Sequence, residues 1–495
     1  MSRRSIAAAA LAWVLLGTVQ SSSGAEPAVT KPDVSELPPL PADATIEQSI
    51  QVEGRKLTYS ITVGALPLRG DDGRKTGEVV LTAYVLKGAD RGRRPVTFAF
   101  NGGPGASSAY LALGAIGPKQ VQFGGAGDSP SDPLEFRDNA GTWLDFTDLV
   151  FIDPIGTGYS RSLLPADVAD KTFFSLDGDV AYLSRIIYDW LAKHGRFTSR
   201  TYLVGESFGG WRAPAIAQVL QTRMGVGVSG IVMISPYLTY NDRDVSPLGW
   251  AAMLPSMAAA HYEKEGRRPD AVSMSEVENY ARGEYVVDFL KGVRDPSALD
   301  RLVTNVTRFT GLDADEVRRK GGRIEGGFFV RSLHREAGQV GSYYDPNVTG
   351  FDPYPLASES RAPDPILAGT HAPLTAAMSD LVTRQVGWKV DGHYEVLNYE
   401  VNRRWEKRWS VAADTFGKVR EVLAVDSKAK VLVAHGYSDL ACPYFRSVMM
   451  LAQLPALGAD DRVRLTVYPG GHMFYSRAES QAAFRRDVRI LYGSI

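Results

Sequence analysis

Three residues far apart in the chain have the types and settings to act as one chemical unit. Ser207 stands in Gly205-Glu206-Ser207-Phe208-Gly209, a G-x-S-x-G pattern between the apolar run Tyr202-Leu203-Val204 and a stretch, Trp211 to Leu220, with helical spacing of apolar residues. Strand, tight turn and helix in that order push a serine hydroxyl out at the end of a sheet. Such a turn leaves no room for a Cβ at its flanks, which accounts for glycine there. A serine hydroxyl is a poor nucleophile until a neighbouring base takes its proton. An imidazole in that role needs a carboxylate to fix its tautomer and stabilise its charged form. Asp439 closes His435-Gly436-Tyr437-Ser438-Asp439, and His472 lies in Pro469-Gly470-Gly471-His472-Met473, each just past an apolar run that reads as a strand. The order Ser…Asp…His and these strand-end positions would let the three meet at one sheet edge. The backbone N–H of Phe208 would then help to hold an oxyanion. Each residue also has a plainer role open to it: a glycine-rich turn for Ser207, a helix N-cap for Asp439, a turn histidine for His472. His435 competes as the base but, at a strand end, reads better as a packing residue. The remaining histidines show no metal-ligand spacing, so neither a metal nor another cofactor is expected.

The elements that must position these residues come from a chain of 495 residues with formal net charge −1, 44% apolar and 22% charged. That composition is ordinary for a globular protein and gives no electrostatic reason to bind nucleic acid or an anionic membrane. The first residues read as a targeting signal: Arg3-Arg4, an apolar segment from Ile6 to Val19, then small residues ending at Ala25. The apolar segment is short for a membrane span, so cleavage is expected after Ala25, with no integral membrane segment left and a secreted or periplasmic product. An uncleaved anchor is the competing reading. The paired arginines leave a twin-arginine route and ordinary secretion both open. Residues 26–45 are Pro-rich and read as a flexible tether. The single cysteine, Cys442, excludes an internal disulfide, so stability must come from core size. Cys442 reads as a small buried apolar residue in preference to a reactive thiol.

Ile50–Glu53, Leu57–Val63 and Val79–Leu86 are expected strands, the second with the alternation of a half-buried antiparallel strand. Pro95–Phe100 is a short apolar strand that runs into Asn101-Gly102-Gly103-Pro104-Gly105-Ala106-Ser107-Ser108. So many small residues after a strand suit either a plain loop or one that supplies a second oxyanion N–H. Asp148–Asp153 and Gly230–Ser235 are further strands, and Ser175–Leu191 is a helix. Lys430–Ala434 and Arg462–Tyr468 are strands separated by a helix near Pro443–Leu454, and Ala478–Leu491 is a terminal helix. The alternation predicts an α/β fold of α/β-hydrolase type: a mostly parallel sheet flanked by helices, built from residues 46–235 and 416–495. Residues 236–415 read as an inserted, largely helical cap. Its aromatics (Trp388, Tyr394, Tyr399, Trp405, Trp409) are expected mostly in the core of that cap.

The motifs resemble those of the serine carboxypeptidases, as a bacterial member. Asn101–Ser108 is similar to that family's Asn-Gly-Gly-Pro-Gly-Cys-Ser-Ser signature, with Ala106 in place of the cysteine. Glu206–Gly210 resembles the family's elbow with Phe208 where tyrosine is usual, and Asp153–Ser160 resembles a glycine-rich segment one residue longer. Asp439-x-x-Cys442 and Gly471-His472-Met473 match the surroundings of the family's catalytic aspartate and histidine. The resemblance implies an exopeptidase that releases C-terminal amino acids from a peptide with a free C-terminus through an acyl-enzyme. Gly103 and Phe208 would form the oxyanion hole, and Asn101 and Glu206 would bind the substrate carboxylate. Two carboxyls in contact must share a proton, which implies an acidic working range. At one place the chain departs from the family: Ala115 occupies the position of a second glutamate that pairs with the elbow glutamate. Glu206 therefore needs another partner, a cap residue for instance, or carboxylate recognition changes and the acidic optimum relaxes. An esterase or acyltransferase using the same triad remains an alternative, and a non-catalytic exported binding protein a more distant one.

Overall fold

The computed structural model describes residues 37–125, 128–238, 246–357, 362–406 and 415–493. The expected signal peptide and most of the expected tether lie outside these residues, as does Trp409. Among the described residues the main sheet contains β1 (Ala44–Val52), β2 (Arg55–Arg69), β3 (Lys75–Leu86), β4 (Val96–Phe100), β5 (Asp148–Ile152), β6 (Thr201–Glu206), β7 (Val228–Ile234), β8 (Lys430–Gly436) and β9 (Val463–Tyr468). Their spatial order is β1-β2-β3-β5-β4-β6-β7-β8-β9, with the short strand Arg161–Ser162 paired to β3. From β5 to β9 every pairing is parallel, whereas β1, β2 and β3 meander antiparallel and β3 joins β5 antiparallel. This is the expected mostly parallel α/β-hydrolase sheet. β1 begins at Ala44, two residues inside the stretch expected to be tether.

Burial along the strands follows from their neighbours. β4, β5 and β6 are buried at every position because helices cover both faces of a parallel sheet. Alternate residues feed two cores: Val204, Val232 and Ile234 enter one, Leu203, Ile231 and Met233 the other. On the second face lie α1 (Leu176–His194) and α2 (Phe208–Arg223), and on the first α3 (Ala478–Tyr492). α1 starts where the Ser175 side chain accepts the Gly178 N–H at 3.2 Å, and it stops at Gly195, whose φ of 64° only glycine adopts without strain.

The expected cap divides. Helices Pro247–Lys264, Ala271–Arg282, Glu284–Lys291, Pro296–Thr310 and Gly326–Leu333 enclose a third core, which also takes Tyr437, Leu440, Tyr444 and Phe445 from the chain after β8. A small antiparallel hairpin, Gln339–Gly341 with Thr349–Phe351, follows. Beyond it, Ile366, Leu374, Trp388 and Tyr394 join one core of the main sheet, and Val401 and Trp405 the other. The expected cap aromatics therefore pack in the sheet's cores, and Tyr399 is 55% exposed. Hydrophobic pattern alone cannot tell which of two cores a side chain enters. No helix among the described residues is long and apolar enough to cross a membrane.

Candidate active site

Ser207 follows the last residue of β6 directly and precedes α2, with φ 59° and ψ −122°. That left-handed value costs a non-glycine residue energy, and such strain is maintained only where the surroundings over-determine it. Here they do. Ser207 N–H donates to Ile234 O (2.9 Å), and Ser207 O accepts from Gly210 N and Tyr237 N (both 2.9 Å). A Cβ on Gly205 would stand 1.9 Å from Gly209 O, so the turn closes only with glycine there. The Ser207 side chain does not cap α2.

The loop after β4 lies against this elbow. A Cβ on Gly102 would stand 2.4 Å from the Phe208 nitrogen, so the backbone of the small-residue loop reaches the start of α2. Gly103 follows with φ 97°. Arg212, one turn into α2, holds the loop from beneath: its Nη1 donates to Asn101 O (2.7 Å), and its Nε donates to Asp179 Oδ2 (2.5 Å) on α1. Chain 394–402 laces the same loop to Asp153–Ser160. Asn398 N–H donates to Gly105 O (2.7 Å), Gly158 N–H to Glu395 O (2.8 Å) and the Asn398 amide to Gly156 O (2.9 Å). Tyr394 donates its hydroxyl to Asp153 Oδ2 (2.9 Å), and the Ser108 N–H to Asp153 Oδ1 (2.9 Å). Burial pushes the Asp153 carboxyl up to about 6 in spite of these bonds.

Asp439 and His472, which follow β8 and β9, meet: His472 Nδ1 lies 2.7 Å from Asp439 Oδ2, with both side chains buried. Burial of the imidazole disfavours its charged form. The Asp439 carboxylate and the neighbouring Cys442 outweigh it, and the His472 pKa is raised well above the usual value. The second Asp439 oxygen accepts the Cys442 N–H at 2.9 Å. Cys442 is buried, as expected of a small core residue, yet it adjoins the Asp439–His472 pair: ligand atoms of Asp439, Cys442 and His472 all lie within 4.8 Å of one another. The end of β7 links His472 to the elbow, because Ser235 Oγ donates to His472 O (2.8 Å) one residue beyond Ile234. His435 sits 2.7 Å from Ser447 Oγ, and burial lowers its pKa to about 4, so it packs as a neutral ring.

Glu206 has a partner that sequence reasoning missed. Tyr475, in the turn after His472, donates its hydroxyl to Glu206 Oε1 (2.8 Å), and Asn101 donates its amide to Oε2 (2.5 Å). Asn101 Oδ1 in turn accepts the Leu111 N–H (3.1 Å). The partner expected from the cap thus comes from the loop that carries His472. Glu206 is 1% exposed, and burial pushes its carboxyl up to about 7 against the opposing effects of His472, Tyr475 and Asn101. Two neutral donors require no shared proton, unlike a second carboxylate. The only sequence hint of Tyr475 was its place three residues after His472. Beside Asp439 opens a cavity of about 220 Å³ lined by Tyr237, Trp250, Met253, Tyr343, Leu440 and Ala441 among others.

Residues 84–243 match the family model described as serine carboxypeptidase. Among curated relatives, "Serine carboxypeptidase-like 28" of Arabidopsis thaliana is 32% identical over 174 residues, which is 32% of this chain and 35% of that protein. "Pheromone-processing carboxypeptidase kex1" of Pyrenophora tritici-repentis is 34% identical over 125 residues, 25% of this chain and 17% of that protein. The chain thus matches well under half the length of either. The relatives are plant and fungal, so they give the expected bacterial origin no support. A solved structure, the prohormone-processing carboxypeptidase Kex1(delta)p of Saccharomyces cerevisiae, superposes with a TM-score of 0.58 at 14% identity and covers 88% of this chain and 91% of its own, a likeness of fold. Residues 84–243 are thus similar in sequence to the serine carboxypeptidases, and the fold as a whole is like that of a solved carboxypeptidase.

Proposed function

We propose that the chain is a serine-type carboxypeptidase that releases C-terminal amino acids from peptides. The observation that carries this reading is the buried Glu206 carboxyl, pushed up to about 7, next to Ser207 at the elbow. A serine hydrolase of esters or internal peptide bonds has no use for a protonated carboxyl beside its nucleophile. An exopeptidase does, because a neutral Glu206 can donate its proton to the substrate's terminal carboxylate.

In this reading Ser207 Oγ attacks the scissile carbonyl while His472 Nε2 takes its proton. Asp439 holds the other ring nitrogen and stabilises the imidazolium. The N–H groups of Gly103 and Phe208 receive the oxyanion, and Asn101 and Glu206 receive the substrate carboxylate. His472 returns its proton to the leaving amino group. Water, activated by His472 in turn, then releases the acyl-enzyme. The bond chemistry calls for no metal or other cofactor. Export belongs to the same proposal: residues 1–25 act as a signal peptide cut after Ala25, and the product works outside the cytoplasm as a catalytic unit (46–235 with 416–495) under the insertion 236–415.

The test is hydrolysis of an N-blocked dipeptide by the mature protein beside Ser207→Ala. Release of the terminal amino acid, lost in the variant, supports the proposal. A wild type that reacts with a fluorophosphonate yet releases no amino acid overturns it in favour of an esterase or acyltransferase, which Ala115 in place of the family's glutamate would suit. A wild type that does not react at all leaves a binding protein.

A further inference from the structure

We propose that Asp345 is a positioning residue that holds, with one carboxylate, both loops that carry Asp439 and His472. Asp345 belongs to neither the main sheet nor its helices. It lies in the connection of the small hairpin Gln339–Gly341 with Thr349–Phe351, and its side chain is buried. One oxygen, Oδ1, accepts the Ser438 hydroxyl (3.3 Å) and the Asn347 N–H (3.3 Å). The other, Oδ2, accepts the Gly471 N–H (3.0 Å) and Arg477 Nη2 (2.8 Å). Ser438 immediately precedes Asp439, and Gly471 immediately precedes His472. The two loops emerge from adjacent parallel strands and diverge into different helices. The loops touch directly through Ser438 N–H to Gly470 O (3.0 Å), and the shared Asp345 acceptor adds a second, side-chain tie next to Asp439 and His472, whose contact is 2.7 Å.

The neighbouring residue continues the same grip. Tyr344 O accepts the His472 N–H (2.6 Å), and the Tyr344 ring meets the His472 ring edge-on at 5.2 Å and 74°. Arg477 is shared: it also pairs with Glu263 at the end of helix Pro247–Lys264, its Nη2 lying 3.2 Å from Oε2. The helical insertion, the hairpin and the two loops are thereby tied through one carboxylate–guanidinium–carboxylate chain, buried at Asp345 and part-exposed at Arg477 and Glu263. A buried carboxyl with four donors around it is a rigid support, because each hydrogen bond restrains the others. Displacing a catalytic group by about 1 Å costs on the order of 100-fold in rate. The support therefore acts on the chemical step, not on substrate binding.

The inference rests on the triad reading above, and Ser207→Ala separates the two. If that variant keeps full turnover, the triad reading fails first. With turnover dependent on Ser207, Asp345→Ala is expected to lower kcat about 100-fold, with KM within about twofold, when rates are normalised to active sites counted by fluorophosphonate labelling. Asp345→Asn, which keeps one oxygen acceptor and so one of the two loops, should recover part of that loss. A kcat per labelled site within about threefold of wild type in Asp345→Ala, accompanied only by a lower Tm, would show a role in folding alone and overturn the proposal. Should neither Asp345 variant fold, Ser438→Ala removes one arm without unpairing a buried charge. It should lower kcat several-fold at constant KM, and an unchanged kcat there overturns the proposal equally.

Discussion

The Glu206–Tyr475 contact makes a quantitative prediction about pH. Glu206 holds a proton up to about pH 7 because burial disfavours its charge, and the Tyr475 hydroxyl at 2.8 Å favours the ionised form. A hydrogen bond to a charged group is worth about 1.5–3 kcal/mol, which corresponds to about 1–2 pKa units. Tyr475→Phe removes that bond and leaves the ring in place, stacked on Phe123 at 6.1 Å. The Glu206 carboxyl should then lose its proton only at roughly pH 8–9. The assay is kcat/KM against pH for an N-blocked dipeptide, run beside the same dipeptide with a C-terminal amide. With the wild type, kcat/KM on the free acid should fall above about pH 7, roughly tenfold per pH unit, since ionised Glu206 repels the substrate carboxylate. In Tyr475→Phe the falling limb should move about 1–2 units to higher pH, and the amide should not show that limb in either protein. An unmoved limb, or one that moves to lower pH, would refute the argument. So would identical alkaline limbs for acid and amide, because Glu206 would then not be the group that meets the carboxylate.

Three further outcomes follow from the same contacts. Glu206 has a raised folded-state pKa, so the folded protein binds more protons than the unfolded chain between pH 4.5 and about 7, and stability drops as pH rises through that window. Glu206→Gln should therefore raise Tm at pH 8 by an amount worth up to about 3 kcal/mol and change it little at pH 4, as thermal melts at both pH values would reveal. Asp439→Asn removes the carboxylate that raises His472; because the base must be neutral to act, the acid limb of kcat should move to lower pH while kcat drops by roughly 10⁴, read from a pH–rate profile. Arg212→Met strands the buried Asp179 and frees Asn101 O. It should cost about 3–5 kcal/mol in urea unfolding, and the added change Asp179→Leu should recover much of that.

Local signals placed much of the backbone, the Ser207 elbow and the loops on which Asp439 and His472 meet. The strand–turn–helix around Ser207 was legible because a turn that tight admits few residue types. Strands β4 to β8 were legible because burial on both faces leaves short apolar runs, and β9, at the sheet edge and mostly half-buried, was legible by its alternation. The expected boundary of the tether and the unity of the cap were less accurate. A Pro-rich stretch can still start an edge strand at Ala44, and the aromatics between Trp388 and Trp405 could serve either of two cores with the same pattern.

The sequence by itself determined the sheet class, the elbow, and the order Ser207, Asp439, His472, since each is written in neighbouring residues. Tertiary structure alone decided who stands beside them. Tyr475 reaches Glu206 across 269 positions, Asp345 reaches Gly471 across 126, and Tyr394 reaches Asp153 across 241. None of these partners has a local signature, because a tyrosine or aspartate in a loop can satisfy its hydrogen bonds with water as well as with a distant residue. Only the closure of the chain around the sheet removes the water and leaves one partner in reach.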